Sequence, residues 1–258
     1  MALEAKIEKL KSLLKPLPGL SLALSGGLDS SVLLVLACHI LGKGRLEALT
    51  VSSEIMPEED LLQARLLTAE LGIPHRIVTF DHLRLDAFRK NPPDRCYHCK
   101  RAMFEKLKAL ASFPLADGTQ AEDLAKERPG MKALKELEIL SPLREAGFTK
   151  GDLRTLAKRK QLVVWRREAH PCLATRFLPG EEITPAKLEL VKRAEDYLKA
   201  QGLRKVRVRY ARAAALIEVD SQDLDNIFTL RAEVAAYFRA LGFHKVSLSL
   251  EGYGDSNP

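Results

Sequence analysis

The chain has 258 residues, 46% of them hydrophobic and 29% charged. That length gives one large domain, or a medium domain plus a small one, and that balance belongs to a folded globular protein rather than a disordered chain. No apolar run is long enough to cross a bilayer, and the net charge of +7 (41 basic against 34 acidic residues) suits an anionic partner, nucleotide or nucleic acid, without choosing between them.

Met1 to Pro16 reads as an amphipathic helix with Leu3, Ile7, Leu10 and Leu14 on one face. It lacks the apolar core and small-residue cleavage site of a secretory signal, which places the protein in the cytoplasm. Leu20 to Leu24, after Pro18-Gly19, reads as a strand, and Asp29 to Leu41 as a buried helix stopped by Gly42. Leu46 to Val51 is a second strand, Pro57 to Leu71 a helix, and Arg76 to Thr79 a third strand. Asn91 to Lys100 breaks the pattern with Pro92-Pro93, and Phe104 to Ala111 is helical. Leu115 to Asp117 is a short strand, Lys150 to Lys160 a helix, and Leu162 to Trp165 a last strand before a loop holding Cys172. The alternation predicts an α/β fold, a parallel sheet with helices on both faces.

The character changes after Pro179-Gly180. Thr184 and Pro185 open a helix to Gln201; strands at Val206 to Tyr210 and Leu216 to Val219, a helix from Leu224 to Leu241 and a strand at Val246 to Leu250 follow. The expected domains are therefore residues 1–180 and a small α+β domain at 181–258.

Ser25-Gly26-Gly27-Leu28-Asp29-Ser30-Ser31 lies between an expected strand and an expected helix. Two glycines let backbone amides approach an anion, the helix N-terminus adds its dipole and unpaired N–H groups, and three serines add hydroxyls. This is a cradle for pyrophosphate. It has no Gly-Lys-Ser/Thr ending, so γ-phosphate transfer with a P-loop lysine is not indicated. Asp29 suits a place beside Mg²⁺, which has to bridge the phosphates of ATP. Asp117-Gly118-Thr119, at the end of the fourth strand, faces the same crevice, followed by Asp123 and Arg128.

Cys96-Tyr97-His98-Cys99 is a CxxC flanked by Arg95 and Lys100, positive charge of the kind that favours a thiolate. With Cys172 it offers three thiols, which fit a 4Fe–4S cluster with one open iron. A zinc site completed by His98 or His170 competes, and spacing alone leaves both open. Cys38 lies in an apolar helix and packs as a small hydrophobe.

The segments Ser25 to Ser30, Arg95 to Lys100, Asp117-Gly118-Thr119, Arg128-Pro129-Gly130, Ser141-Pro142-Leu143, Pro171 to Phe177 and Leu250-Glu251-Gly252-Tyr253 occur in the order seen in the LarE family. These are sulfur transferases of nickel-pincer nucleotide biosynthesis, built on the PP-loop, or N-type ATP pyrophosphatase, fold (adenine nucleotide alpha hydrolase-like). The resemblance covers nearly the whole chain. Gln120 and Thr175 depart from the commoner Asn and Ser without removing a needed group.

The resemblance implies that ATP adenylates a carboxylate of pyridinium-3,5-biscarboxylic acid mononucleotide, and that a sulfur nucleophile then displaces AMP to leave a thiocarboxylate. Ser25, Gly26, Gly27, Asp29, Ser30, Ser31, Asp117, Gly118 and Thr119 would bind ATP. Cys96, Cys99 and Cys172 would hold a 4Fe–4S cluster and act in catalysis. Arg176, Arg207 and Arg209 would bind the substrate, and Glu195 and Glu218 would serve as metal ligands. The sulfur would come from sulfide or a desulfurase system, and the protein would be a homo-oligomer, a hexamer, with no membrane and no nucleic-acid partner. Two other readings compete: a 4Fe–4S-dependent tRNA thiolation enzyme, against which stand a single CxxC and only 6% aromatic residues, and a non-catalytic nucleotide-binding protein with structural zinc.

Overall fold

The computed structural model describes residues 2–125, 129–166 and 171–254. The chain divides into two compact units, one of residues 1–82 and 94–170, the other of residues 83–93 and 171–258.

In the first unit, α1 (Leu3–Leu14) leads into β1 (Leu20–Ala23), α2 (Leu28–Leu41), β2 (Leu46–Ser52), α3 (Glu58–Leu71) and β3 (His75–Thr79). With β4 (Leu115–Ala116) the four-stranded sheet runs β3-β2-β1-β4, with every pair parallel and Leu22 set between Ala48 and Ala116. Such a sheet needs cover, and the sequence supplies it in α2, whose Val32, Leu33, Leu34, Val35, Leu36 and Ala37 are all buried. A helix apolar all round belongs inside. Leu33 and Leu34 are 0% exposed and join Leu20, Leu22, Leu24 and Leu46 in the core.

The later elements of the unit are α5 (Arg95–Leu110), β4 (Leu115–Ala116), α6 (Pro129–Glu136), α7 (Pro142–Ala146) and α8 (Lys150–Arg159); α4 (Asp86–Arg89) belongs to the other unit. Two expectations change here. The CxxC does not sit in a loop: α5 begins at Arg95, once Pro92-Pro93 are passed, and carries both cysteines. The expected strand at Leu162 to Trp165 is one turn of 3-10 helix, Val163–Arg166. Its Trp165 amide donates to Leu162 and the Leu162 amide to Ala157, so local bonds take up amides that a strand would need a partner for.

In the second unit, α9 (Pro185–Ala200) starts as its residues predict, with the Thr184 hydroxyl accepting from the Lys187 amide and Pro185 in the first turn. Then β5 (Val206–Ala211) pairs antiparallel with β6 (Ala214–Val219), and β7 (Lys245–Leu248) adds parallel to β6. The expected single helix from Leu224 to Leu241 is two, α10 (Leu224–Thr229) and α11 (Arg231–Leu241), broken at Leu230. Residues 83–93 join this unit through the chain just before α9: the Gly180 amide donates to Asn91 at 2.7 Å, the Ile183 amide to Arg89 at 2.8 Å, and the buried Asn91 side chain to Leu178 at 2.6 Å. The second unit thus combines residues 171–258 with a segment from inside the first. Among the described residues no helix is long and apolar enough to cross a membrane.

Candidate active site

A cavity of about 410 Å³ opens in the first unit, beyond the carboxyl ends of the parallel strands, where ligands of such sheets bind. Residues Ala23 to Ser30 line one side. The loop turns at Gly26, whose φ of +78° few residues tolerate; a Cβ there would lie 1.9 Å from the Asp60 carbonyl oxygen. Gly27 caps α2 with no side chain over the helix end, which leaves the N-terminal amides facing the cavity. The Ser30 hydroxyl holds the loop's shape: it accepts from the Ser25 amide at 3.2 Å and lies 3.0 Å from the Ser25 hydroxyl. Ser31 differs from its neighbours. It is 1% exposed and packs into α2 beneath the loop.

Asp29 and Lys150 face each other in this cavity. The Lys150 ammonium donates to both Asp29 carboxylate oxygens, at 2.7 and 2.9 Å. Burial lifts the Asp29 pKa above the ordinary carboxylate value; Lys150 and Arg154 pull it down and Asp123 pushes it further up. Lys150 is aimed by the start of α8, where Thr149 and Asp152 form a capping box. Asp152 is in turn held by Lys6 of α1 at 2.5 Å. Neither Lys150 nor Arg154 stands out in the sequence as a site residue. Their only trace is two cations four apart at a helix start.

Asp117, Gly118 and Thr119 line the cavity next to the Gly26-Gly27 loop. Asp117 is 6% exposed and spends its oxygens inside the protein, accepting from the Ser141 hydroxyl at 2.8 Å, the Thr119 amide at 3.2 Å and the Thr119 hydroxyl. It shapes the loop, and Gly118 is the part that touches the phosphate cradle. Arg128 lies outside the described residues; Gly130 packs beside the Lys100 side chain, 2.7 Å from where a Cβ would stand.

The third wall is α5. Lys100, Met103, Phe104 and Leu107 line the cavity, a spacing that keeps them on one helical face. Leu49, Val51 and Met56 add apolar surface, enough to receive a flat base. Cys96 and Cys99 occupy the first turn of the same helix, Cys96 in line with Lys100 and Met103, Cys99 in line with Met103. Cys96 is exposed and Cys99 partly so, and none of the four cysteines forms a disulfide. The Arg95 guanidinium donates to the Cys96 sulfur at 3.7 Å. His98 is paired with Asp94 at 3.0 Å, and His170 lies outside the described residues. Among the described residues no three His, Cys, Asp or Glu side chains gather as a metal-binding group.

Cys172 belongs to the second unit, at the start of a 3-10 turn, Leu173–Arg176. Its carbonyl accepts from the Thr175 amide and hydroxyl. Arg176 is 6% exposed and makes four hydrogen bonds to the protein: to both oxygens of Glu195 at 2.7 and 3.0 Å, and to the Pro171 carbonyl and the Thr175 hydroxyl, each at 3.1 Å. Burial works against its charge, but Glu195, with Tyr253 and Cys172 nearby, outweighs that and holds its pKa above the ordinary value. Glu195 also accepts from the Val208 amide at 3.0 Å. Both oxygens of Glu218 are likewise used, by Arg207 at 3.1 Å and Arg209 at 2.5 Å. The two glutamates expected to bind metal both hold arginines. The Arg207 Nε is buried without a hydrogen-bond partner, and its guanidinium stacks on Tyr253 at 4.3 Å.

Comparison with known proteins adds two kinds of likeness. A family model described as NAD synthase matches residues 4–101, and an NH(3)-dependent NAD(+) synthetase of Methanoregula boonei is 32% identical over 74 residues, 29% of each chain. The family-model match takes in the phosphate cradle and the CxxC but less than half of the chain. Pyridinium-3,5-bisthiocarboxylic acid mononucleotide synthase of Lactiplantibacillus plantarum is 33% identical over 255 residues, 97% of this chain and 92% of its own. An uncharacterized protein of Synechocystis sp. is 35% identical over 257 residues, 97% of this chain and 96% of its own.

Proposed function

Since this chain belongs to the family of pyridinium-3,5-bisthiocarboxylic acid mononucleotide synthase, the LarE family, we propose that it adenylates a carboxylate of pyridinium-3,5-biscarboxylic acid mononucleotide with ATP and converts it to a thiocarboxylate. The observation that carries the reading is the shared face of α5, which runs from the wall of the nucleotide cavity to the CxxC turn without leaving one helix.

The residues divide the work. The amides at the start of α2, shaped by Gly26, Gly27, Ser25 and Ser30, receive the pyrophosphate part of ATP. The apolar stretch of Leu49, Val51, Met103 and Phe104 takes the adenine. A substrate carboxylate oxygen attacks the α-phosphorus and pyrophosphate leaves; the acyl adenylate that results carries AMP as a good leaving group. A sulfur nucleophile then attacks the acyl carbon and AMP departs. Asp29 offers hard oxygen at the cradle, which fits Mg²⁺ accompanying the nucleotide.

Cys96 and Cys99, thiols one turn apart on α5, fit two ligands of a 4Fe–4S cluster, with Cys172 as the third. Such a cluster would supply inorganic sulfur for transfer. Arg207 and Arg209 would supply cations for the substrate's phosphate and carboxylates.

The test uses protein purified without oxygen. Wild type should contain about four iron per chain and release AMP and pyrophosphate as the substrate exchanges oxygen for sulfur. Cys99→Ala should lose the iron and the sulfur exchange but keep ATP binding. Zinc in place of iron, or adenylation with no sulfur product, would overturn the reading.

A further inference from the structure

The Asp29–Lys150 pair sits where the nucleotide's metal is expected, and its lysine is built in with some care. Lys150 follows the Thr149 cap of α8, its helix start is closed by Asp152, and Asp152 is fixed by Lys6 of α1. Both Asp29 oxygens accept from the same ammonium, at 2.7 and 2.9 Å. The two side chains are still 24% and 33% exposed and line the cavity together with Asp123 and Arg154.

An ammonium bonded to both oxygens leaves Asp29 little to offer a metal. Mg²⁺ asks for close, near-octahedral oxygen contact and gives up water reluctantly, and it is repelled by a neighbouring positive charge. The negative charge of a triphosphate changes this balance. Phosphate oxygens can accept from Lys150, whose ammonium rides on a flexible four-carbon stem and can turn without backbone movement. Asp29 is then released toward the metal.

We infer that Lys150 is an exchangeable partner of Asp29: it closes the carboxylate in the nucleotide-free protein and passes to the terminal phosphates of ATP when Mg²⁺ and nucleotide arrive together. The inference rests on the ATP-dependent reading above and names the residue that couples the metal to the nucleotide. Mg²⁺ alone is kept out, and MgATP is taken as a unit.

The test is equilibrium titration of the full chain with Mg²⁺ alone and with MgATP, for wild type, Lys150→Met and Lys150→Arg. Lys150→Met should bind MgATP more weakly by about ten- to a hundredfold, the range for deleting one hydrogen bond to a charged group, and should bind Mg²⁺ alone more tightly than wild type. Lys150→Arg, which keeps the charge, should stay close to wild type on both. Opposite shifts with the two ligands are the signature, because a merely structural lysine would weaken both or neither, and either of those results overturns the inference. If Lys150→Met loses its melting transition, Lys150→Gln is judged by the same criteria. The titrations need no sulfur chemistry, so a wild type that makes no thiocarboxylate counts against the proposed reaction, while loss of the opposite shifts counts against Lys150.

Discussion

A Cβ on Gly118 would lie 2.8 Å from the backbone nitrogen of Ser30 and 3.0 Å from its Cα. The loop after β4 therefore packs backbone to backbone on the first turn of α2. A methyl group there forces the two walls of the cavity apart. Gly118→Ala should destabilise by about 1–3 kcal/mol, the usual cost of overpacking, and should weaken MgATP binding. Unchanged MgATP affinity would show that the close approach is incidental.

Gly26→Ala should be more severe. Its Cβ meets a carbonyl oxygen rather than a movable side chain, at 1.9 Å, and φ is +78°. The left-handed backbone alone adds about 1–2 kcal/mol for a residue with a Cβ. Nucleotide binding should be lost before global folding, which fluorescence titration and a thermal melt on the same sample would separate.

His82 makes the acid limb of stability steeper. It is 1% exposed, and burial, more than offsetting Asp81 and the Phe80 backbone, lowers its pKa to about 4 from 6.5. The folded state thus prefers the neutral ring. Its contribution is complete above pH 6.5, where neither state is protonated, and falls away as pH drops from 6.5 toward 4, because the unfolded chain takes up the proton first. The shift corresponds to about 3 kcal/mol. Denaturation of His82→Phe between pH 7 and pH 4 should show a flatter acid limb than wild type; parallel limbs would count against it.

Arg176 and Glu195 form a buried pair in the second unit, and removing one partner should cost about 3–5 kcal/mol. Arg176→Met leaves Glu195 unpaired and the Pro171 carbonyl without its donor. Arg176→Lys should not restore stability, since one ammonium cannot reproduce a fork to two carboxylate oxygens. Restoration by lysine in urea denaturation would contradict the geometry.

The phosphate cradle was legible because its chemistry is local: glycines, serines and a helix start lie within a few residues of each other. The parallel sheet and the strands of the small second unit followed from patterns of the same range. Lys150 was not legible, since its contact with Asp29 joins residues 121 positions apart. The arginine partners of Glu195 and Glu218 were not legible for a related reason: no local pattern reports which cation will face a glutamate. Pro92-Pro93 hid the true start of α5, because prolines mark the break but not how soon a helix resumes. Residues 162–165 have the β-branched and aromatic content of a strand, yet strand formation depends on a partner edge that no local pattern reports.

The span between Asp29 and Lys150 also bears on synthesis. The glycine loop leaves the ribosome early, but the lysine that faces it emerges 121 residues later, about 6–25 s at usual rates of elongation. During that interval the nascent chain has a phosphate cradle without the lysine that closes Asp29, and Lys6 has no Asp152 to hold. A chain cut short before α8 should therefore take up MgATP more weakly than the full chain.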